Sequence, residues 1–235
     1  MTQHTGASYQ SIAGKYAQIV DRQPANAYYE RPAVLSLLPP LAKAAVLDAG
    51  CGSGWYAEYL TQQGAVVTSF DMNAEFVALT QARVGNRATV LQANLVEPLD
   101  FADDGTFDLI VASLVMHYLK DWQPTLREFY RVLKPTGKLV FSTHHPFMDW
   151  KIFEREDYFA VDLLDDEWAN VGKVQFYRRP LTLMSHDLQA AGFVIERLLE
   201  PQPTQDHWQA DPKQAARFNT HPWFLIIRAI KKGKG

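Results

Sequence analysis

Residues 46–60 read VLDAGCGSGWYAEYL, and the pattern changes from strand-like to helix-like within this stretch. It begins with a short apolar run, which is typical of a buried parallel strand. It ends with Trp55, Tyr59 and Leu60 at helical spacing. The alternate positions between these parts hold Gly50, Gly52 and Gly54. Because a sharp turn from strand to helix needs residues that tolerate positive φ, the stretch predicts a strand, a tight glycine turn and a helix.

A ligand can approach this turn closely, because its glycines carry no Cβ atoms. The free N–H groups of a helix N-terminus also suit an anionic or polar ligand. A tight turn without a ligand is the alternative, but three glycines weaken a fold unless close approach compensates for them. The dinucleotide fingerprint is G-x-G-x-x-G. Here the spacing is G-x-G-x-G, with Trp55 in place of the third fingerprint glycine, which favours a nucleoside other than NAD.

The segment DAGCGSG at residues 48–54 resembles the D-x-G-x-G-x-G motif of the class I S-adenosylmethionine-dependent methyltransferases. Within that family it is similar to the small-molecule group called methyltransferase type 11. The resemblance covers most of residues 8–144 and, more weakly, the C-terminal end. It implies an α/β, Rossmann-like fold with a seven-stranded, mostly parallel sheet, helices on both faces and an antiparallel last strand. It also implies S-adenosyl-L-methionine as cofactor and S-adenosyl-L-homocysteine as product.

The rest of the chain alternates between strand and helix patterns, as a parallel sheet with crossover helices requires. Strands are predicted near residues 46–49, 65–70, 88–93, 107–113, 138–143, 193–199 and 223–230. Helices are predicted near residues 8–22, 31–38, 55–60, 73–84, 121–133 and 181–191, and a polar loop over 200–221. We expect one domain over residues 1–235. It has an N-terminal helical cap over 8–40 and an aromatic substrate cover over 145–178, inserted after the fifth strand.

Asp71 is the clearest candidate for a cofactor contact outside the glycine turn. It ends the second strand about 20 residues beyond the turn, where nucleotide-binding units place the carboxylate that accepts hydrogen bonds from the ribose. The alternative is that Asp71 caps the following helix, but Asn73 can provide that cap. Met72 would then pack on the adenine, since a thioether suits an aromatic ring.

The resemblance implies further cofactor contacts. The N-terminal segment folds over the cofactor in this family, so Tyr16, Tyr28 and Arg31 are expected on the pocket wall, with Arg31 paired to the methionine carboxylate. Asn94 stands where the family usually has an acid, which predicts a weaker contact with the adenine amino group. The set is completed by Asp48, Gly50, Cys51, Gly52, Leu95, Ser113 and His117. For His117, half-buried packing is an equal alternative.

Residues 145–178 carry many aromatic side chains without a clean period, and a long loop of this kind is usually functional. We therefore interpret it as a substrate cover, with an aromatic mini-core or a dimer interface as alternatives. His144 and His145 lie at the end of the fifth strand and are the candidate bases for an acceptor that must lose a proton. The substrate candidates are Phe147, Trp150, Tyr158, Trp168, Tyr177 and Arg178. Glu200 is a further candidate for binding a charged substrate group.

Composition narrows the class of partner. The chain has 235 residues, 47% of them hydrophobic, and a formal net charge of −3. An acidic balance argues against a nucleic-acid partner, which needs basic surface. No apolar run approaches the length of a membrane span, and the polar start predicts no secretory signal. The lone Cys51 fits a reducing, cytoplasmic location. No metal site is predicted, and we expect a monomer or a homodimer acting on a small molecule.

Three functions remain open from sequence. The leading hypothesis is transfer of a methyl group to a small molecule, in which the protein mainly orients and desolvates the acceptor. A nicotinamide-dependent oxidoreductase is disfavoured by Trp55 at the fingerprint position. A module that binds S-adenosylmethionine without transferring its methyl group stays possible, because the cofactor motif and the acceptor residues are separate.

Overall fold

The computed structural model describes residues 19–168 and 172–232. Its main sheet has seven strands: β1 (Ala45–Ala49), β2 (Val66–Asp71), β3 (Ala88–Gln92), β4 (Phe107–Ala112), β5 (Leu133–His144), β8 (Phe193–Leu199) and β9 (Phe224–Lys231). Two further strands, β6 (Asp162–Trp168) and β7 (Gly172–Arg178), form a separate hairpin. The strand order in the main sheet is β3-β2-β1-β4-β5-β9-β8. Strands β1 to β5 are parallel, and β9 pairs antiparallel with both β5 and β8. The predicted fold class is therefore confirmed.

The helices cover this sheet and connect its strands. They are α1 (Arg31–Ser36), α2 (Trp55–Gln62), α3 (Ala74–Val84), α4 (Gln123–Val132), α5 (Pro146–Ile152), α6 (Leu181–Ala190), α7 (Gln205–Ala210) and α8 (Pro212–Thr220). A π-helical turn, Asn26–Glu30, runs directly into α1. The predicted helix over 8–22 falls almost entirely outside the described residues. Asn73 caps α3, since its side chain accepts a hydrogen bond from the Glu75 N–H, as predicted.

The core lies in two layers, one on each face of the sheet. Leu47 and Ile110 point into one layer, and their strand neighbours Val46 and Leu109 point into the other. Successive side chains of a strand face opposite sides, so strands that are apolar at every position must be covered twice. The two layers fix the central strands, and their carboxyl ends then form a common edge where the loops can build a site.

The structure corrects two predictions of irregular structure. The segment after β5 is ordered as α5 and the β6–β7 hairpin, which packs on a small core of Leu164, Val174 and Phe176. The predicted polar loop over 200–221 contains α7 and α8. Both short helices carried capping signals: Thr204 accepts from the His207 N–H, and Asp211 accepts from the Gln214 N–H ahead of a proline at the first helical position.

Candidate functional site

The glycine turn joins β1 to α2 and is tied to β2 by its backbone. The N–H groups of Gly50 and Cys51 both donate to the Phe70 carbonyl, each at 2.9 Å. All three glycines have positive φ, at 73°, 53° and 82° in chain order. A Cβ on Gly50 would lie 2.5 Å from Cγ2 of Val115, and one on Gly54 would lie 3.0 Å from Cα of Thr80. A Cβ on Gly52 would meet no atom within 4 Å.

A cavity lies beside this turn, at the carboxyl ends of strands β1 to β4. Its wall is completed by the segment that precedes α1. Among the described residues, the lining residues are Val20, Asn26, Glu30, Arg31, Asp48, Gly50, Cys51, Gly52, Ser53, Trp55, Tyr56, Phe70, Asp71, Met72, Asn73, Phe76, Ala93, Asn94, Leu95, Ser113, Leu114, Val115, Tyr118 and Leu119. This is the position in which open α/β sheets bind ligands.

The carboxylate of Asp71 is fixed between the glycine turn and α3. Its Oδ2 accepts from the Gly52 N–H at 3.0 Å, and its Oδ1 accepts from the Asn73 N–H at 2.9 Å. Burial raises the pKa of Asp71, and these backbone donors act in the opposite direction. Because each oxygen uses one backbone donor, both keep capacity for a further hydrogen bond.

Asp48, at the end of β1, is buried with 1% of its surface exposed. Its Oδ2 accepts from the Ser69 hydroxyl at 3.4 Å. Burial raises the pKa of Asp48 to about 7, although the Ser69 hydroxyl lowers it. A second carboxylate of shifted acidity therefore lies one strand away from Asp71, and their mutual repulsion contributes to the shift.

A third carboxylate, Glu30, closes the cavity from the N-terminal side. Its Oε1 accepts from the hydroxyls of Ser113 and Ser142, and its Oε2 accepts from the Tyr56 hydroxyl. The side chain is buried, and burial raises its pKa against the effect of the three hydroxyl donors. Sequence reasoning missed Glu30. Its signal is weak, because only the long-range contact with Ser142 shows where the carboxylate points.

Arg31 lines the cavity but already has partners. Its guanidinium lies 4.2 Å from the centre of the Trp55 ring and pairs with Asp21 at 3.2 Å. Asp21 also binds Arg83, which in turn pairs with Glu58 at 2.8 Å. The network connects the N-terminal segment to α2 and α3. The pairing of Arg31 with a cofactor carboxylate stays a prediction, and Arg31 would have to share or leave Asp21 to make it.

The remaining wall is mostly apolar and lies at the ends of β2 and β3. Met72, Phe76 and Leu95 face this part of the cavity together with Asn94. The Asn94 side-chain oxygen accepts from the Val96 N–H at 3.3 Å, which orients the amide within its own turn. A planar, largely apolar group with polar edges fits such a wall.

Most of the predicted cofactor residues meet at this cavity. Those on its wall are Arg31, Asp48, Gly50, Cys51, Gly52, Asp71, Met72, Asn94, Leu95 and Ser113. Tyr28 and His117 do not line it. Tyr28 is instead held through its backbone carbonyl, which accepts from the Thr204 hydroxyl at 2.8 Å. Tyr16 lies outside the described residues.

The histidines predicted as bases are not on the cavity wall. His144 stacks on His117 with ring centroids 4.2 Å apart, and burial lowers the pKa of His144 to about 3. Burial also lowers the pKa of His117 well below its usual value. His145 pairs with Glu200 at 2.8 Å. The role of base therefore stays a prediction that this geometry does not support.

The predicted substrate residues all lie on the cover, residues 145–178, and none lines the cavity: Phe147, Trp150, Tyr158, Trp168, Tyr177 and Arg178. Arg178 is buried, and both terminal nitrogens of its guanidinium donate hydrogen bonds. It donates to the carbonyls of Asp157, Tyr158 and Ala160 and to the Asp162 carboxylate. These contacts order the cover, and the buried guanidinium is not accessible to a substrate in this structure.

Two further observations concern the described part of the chain. None of its helices has the length and apolar character needed to cross a membrane. Within the same ranges, no cluster of histidine, cysteine, aspartate and glutamate side chains could hold a metal ion.

Comparisons with known proteins agree with this geometry. Residues 47–141 match the family model described as a methyltransferase domain. A malonyl-[acyl-carrier protein] O-methyltransferase of Erwinia billingiae is 40% identical over 149 residues, which are 61% of this chain and 57% of that protein. The chain thus spans little more than half the length of this relative.

Two crystal structures share the fold over nearly their whole length. A provisionally assigned S-adenosylmethionine dependent methyltransferase of Listeria monocytogenes has a TM-score of 0.76 at 22% identity, covering 87% of this chain and 97% of its own. One of Mesorhizobium loti has a TM-score of 0.71 at 24% identity, covering 89% and 99%. The match of residues 47–141 to the methyltransferase domain model and the fold shared with these two structures both agree with the resemblance of the glycine motif to class I S-adenosylmethionine-dependent methyltransferases.

Proposed function

We propose that the protein transfers the methyl group of S-adenosylmethionine to a small-molecule acceptor. The observation that carries this proposal is the charge of the cavity wall. Among the described lining residues, three carboxylates, Glu30, Asp48 and Asp71, face one guanidinium, Arg31, which Asp21 already neutralises. S-adenosylmethionine carries a sulfonium and an ammonium against one carboxylate, so it is a net cation that suits such a wall.

The residues present fit this cofactor. Asp71 offers acceptor oxygens to the ribose hydroxyls, and the wall of Met72, Phe76 and Leu95 offers apolar surface to the adenine. The space beside Gly52 lets a ligand approach the turn, since no atom lies within 4 Å of where a Cβ would be. The Asn94 amide stays the proposed contact for the adenine edge.

The bound cofactor supplies an activated methyl group, and the protein's own contribution is orientation and exclusion of water. Fixing two reactants in line contributes roughly 7–11 kcal/mol to lowering a barrier. Val20, Asn26 and Arg31 close the cavity on the N-terminal side. Tyr118 lines the cavity and packs against the apolar core of the cover, which supports the interpretation of residues 145–178 as a substrate cover.

The acceptor is proposed only at the level of its class. The name of the Erwinia relative denotes O-methylation of a malonyl group on a carrier protein, and it makes carboxylate oxygens the first acceptors to screen. Transfer to nitrogen or carbon is the alternative within the same class. The expectations of a monomer or homodimer and of a cytoplasmic location stay predictions.

Calorimetric titration with S-adenosylmethionine, S-adenosylhomocysteine and NADH tests the cofactor. We expect saturable binding of the two adenosyl compounds and none of NADH. Binding of NADH alone would overturn the proposal. A screen for S-adenosylhomocysteine release with small carboxylic acids, phenols and amines then separates a transferase from a module that only binds. Tight binding without turnover on any acceptor would favour the binding module.

A further inference from the structure

Glu30 is a buried carboxylate that neither the glycine turn nor the Asp71 contact requires. It is 1% exposed and lines the cavity from the π-helical turn Asn26–Glu30. Three hydroxyls donate to it: Ser142 at 2.5 Å, Ser113 at 2.8 Å and Tyr56 at 2.9 Å. These come from the ends of β5 and β4 and from α2. The three hydroxyl donors favour the ionised carboxylate, against the burial that raises its pKa, and they leave one of about four acceptor positions open.

Glu30 lies at the end of the cavity opposite to the apolar wall, and this position indicates which part of a bound ligand it can contact. Met72 and Leu95, at the ends of β2 and β3, form the apolar end of the cavity, and Asp71 ends β2. Asp48 lies on β1, and Ser113 follows β4, the next strand in the sheet order. Neighbouring strands are about 4.8 Å apart, so Ser113 and its partner Glu30 lie about 10 Å beyond Asp71 along the edge. A ligand held by its ribose at Asp71 reaches this end with its amino-acid tail.

No cation within the described residues forms an ion pair with Glu30. Its neighbour Arg31 acts on it only at longer range, because the guanidinium is directed to Asp21 and lies over the Trp55 ring. A buried charge without an ionic partner is costly, and a cationic ligand group relieves that cost.

Resting on the proposed function, we propose that Glu30 recognises the positively charged amino group at the methionine end of S-adenosylmethionine. The contact explains why a glutamate is held by three hydroxyls at the far end of the cavity. It also makes Glu30 a determinant of specificity for ligands with an intact amino group, in addition to the ribose contact of Asp71.

The test combines one substitution with one change in the ligand. Glu30→Gln keeps an oxygen for Ser113 and Ser142 and gives Tyr56 an amide partner, so the fold has reason to persist. Calorimetry compares S-adenosylhomocysteine with its deamino analogue, in which hydrogen replaces the amino group. We expect Glu30→Gln to lower the affinity for S-adenosylhomocysteine about 10- to 100-fold. The deamino analogue should bind wild type and variant within about twofold of each other.

Ser142→Ala is the matched control, because it removes one hydroxyl from Glu30 and leaves the charge. We expect a small loss that is equal for both ligands. If Glu30→Gln weakened the binding of both ligands equally, Glu30 would have only a structural role and the proposal would fail. If it weakened S-adenosylmethionine but not S-adenosylhomocysteine, the carboxylate would face the sulfonium, which also overturns the proposal.

An unchanged affinity for every ligand would assign Glu30 to the acceptor or to folding, and the proposal would fail as well. Failure of the proposed function has different signatures: without the cofactor site, the wild-type protein would bind neither S-adenosylhomocysteine nor its analogue, and a module that only binds would show the Glu30 effect without turnover on any acceptor. Circular dichroism and thermal unfolding of Glu30→Gln distinguish a misfolded variant. In that case Glu30→Asp, which keeps the charge, should restore both the fold and the preference for the amino group.

Discussion

The glycine turn and the cover are each held by hydrogen bonds to backbone carbonyls, but the donors differ. At the turn, backbone N–H groups of Gly50 and Cys51 converge on the Phe70 carbonyl. In the cover, the Arg178 guanidinium converges on the carbonyls of residues 157, 158 and 160. Both arrangements join segments that are distant in sequence, but the first uses backbone N–H groups and so depends on the conformation of the turn, whereas the second depends on a single side chain. We therefore expect the turn to tolerate no change of backbone geometry and the cover to depend on a single charge.

Gly50→Ala should have the largest effect. Its Cβ would lie 2.5 Å from Val115 Cγ2, at a φ of 73°. Left-handed strain of about 1–2 kcal/mol and overpacking of about 1–3 kcal/mol should together lower the free energy of unfolding by about 2–5 kcal/mol. Urea denaturation measures this loss, and calorimetry should show no binding of S-adenosylhomocysteine.

Gly52→Ala is the matched control, since its Cβ would meet no atom within 4 Å. It should lose only the strain of about 1–2 kcal/mol, while the added methyl group weakens cofactor binding. Equal stability of the two variants would show that close packing on Val115 is not what the turn requires.

Asp71→Ala should have the second largest effect, on cofactor affinity. The substitution removes the charged acceptor beside the ribose position and frees the N–H groups of Gly52 and Asn73. Charge-assisted hydrogen bonds lost from a ligand correspond to a fall in cofactor affinity of about 10- to 100-fold. Calorimetry measures it, with Asp71→Asn as the control that keeps one acceptor oxygen. Unchanged affinity in a folded Asp71→Ala protein would mean that the ribose is held elsewhere.

A smaller effect should appear in the pH dependence of cofactor affinity, which we attribute to Asp48 in the cavity wall. Burial raises the pKa of Asp48 from 3.8 to about 7. A cationic ligand needs the ionised form, so affinity for S-adenosylmethionine should fall by up to roughly tenfold per pH unit below about 7. Calorimetry between pH 5.5 and 8 in buffers of different ionisation enthalpy should detect proton release on binding.

The raised pKa of Asp48 affects stability in the opposite direction from ligand affinity. Between about pH 4 and 7 the native protein holds a proton that the unfolded chain has lost, so the free energy of unfolding of the ligand-free protein should fall as pH rises. Asp48→Asn should reduce both pH dependences, although Glu30 and Asp71 also have raised pKa values. A profile identical to that of the wild type would exclude Asp48 as the titrating group.

Arg178→Met should change cofactor affinity the least of these substitutions, but it should strongly destabilise the cover locally. Removing the guanidinium leaves three carbonyls and the Asp162 carboxylate without this donor. Hydrogen exchange of the amides in residues 157–162 should accelerate, while affinity for S-adenosylhomocysteine should change less than about threefold. Lys173→Met, at an exposed position of the same hairpin, is the control. Loss of cofactor binding would show that the cover and the cavity fold as one unit.

Sequence determined the features of this protein that depend on neighbours along the chain. The alternate glycines predict a turn with positive φ. Asp71 ends the next strand, so it was predictable that its carboxylate would lie at the same edge of the sheet as the turn. The Asn73 cap follows from the same local logic, since its side chain bonds the N–H two residues on. The central strands β1 and β4 were predictable because burial on both faces requires apolar runs, whereas the short helices α7 and α8 have only capping signals to mark them.

Tertiary structure alone decided which side chains face the cavity. Glu30 meets Ser142 across 112 positions, and the Arg31 guanidinium meets Asp21 instead of facing the cavity without a partner. His144 looks like a base in sequence, yet packing against His117 and Phe176 buries it away from the cavity and lowers its pKa to about 3. Orientation and acidity depend on the surroundings that folding creates, and a residue's neighbours in sequence do not specify those surroundings.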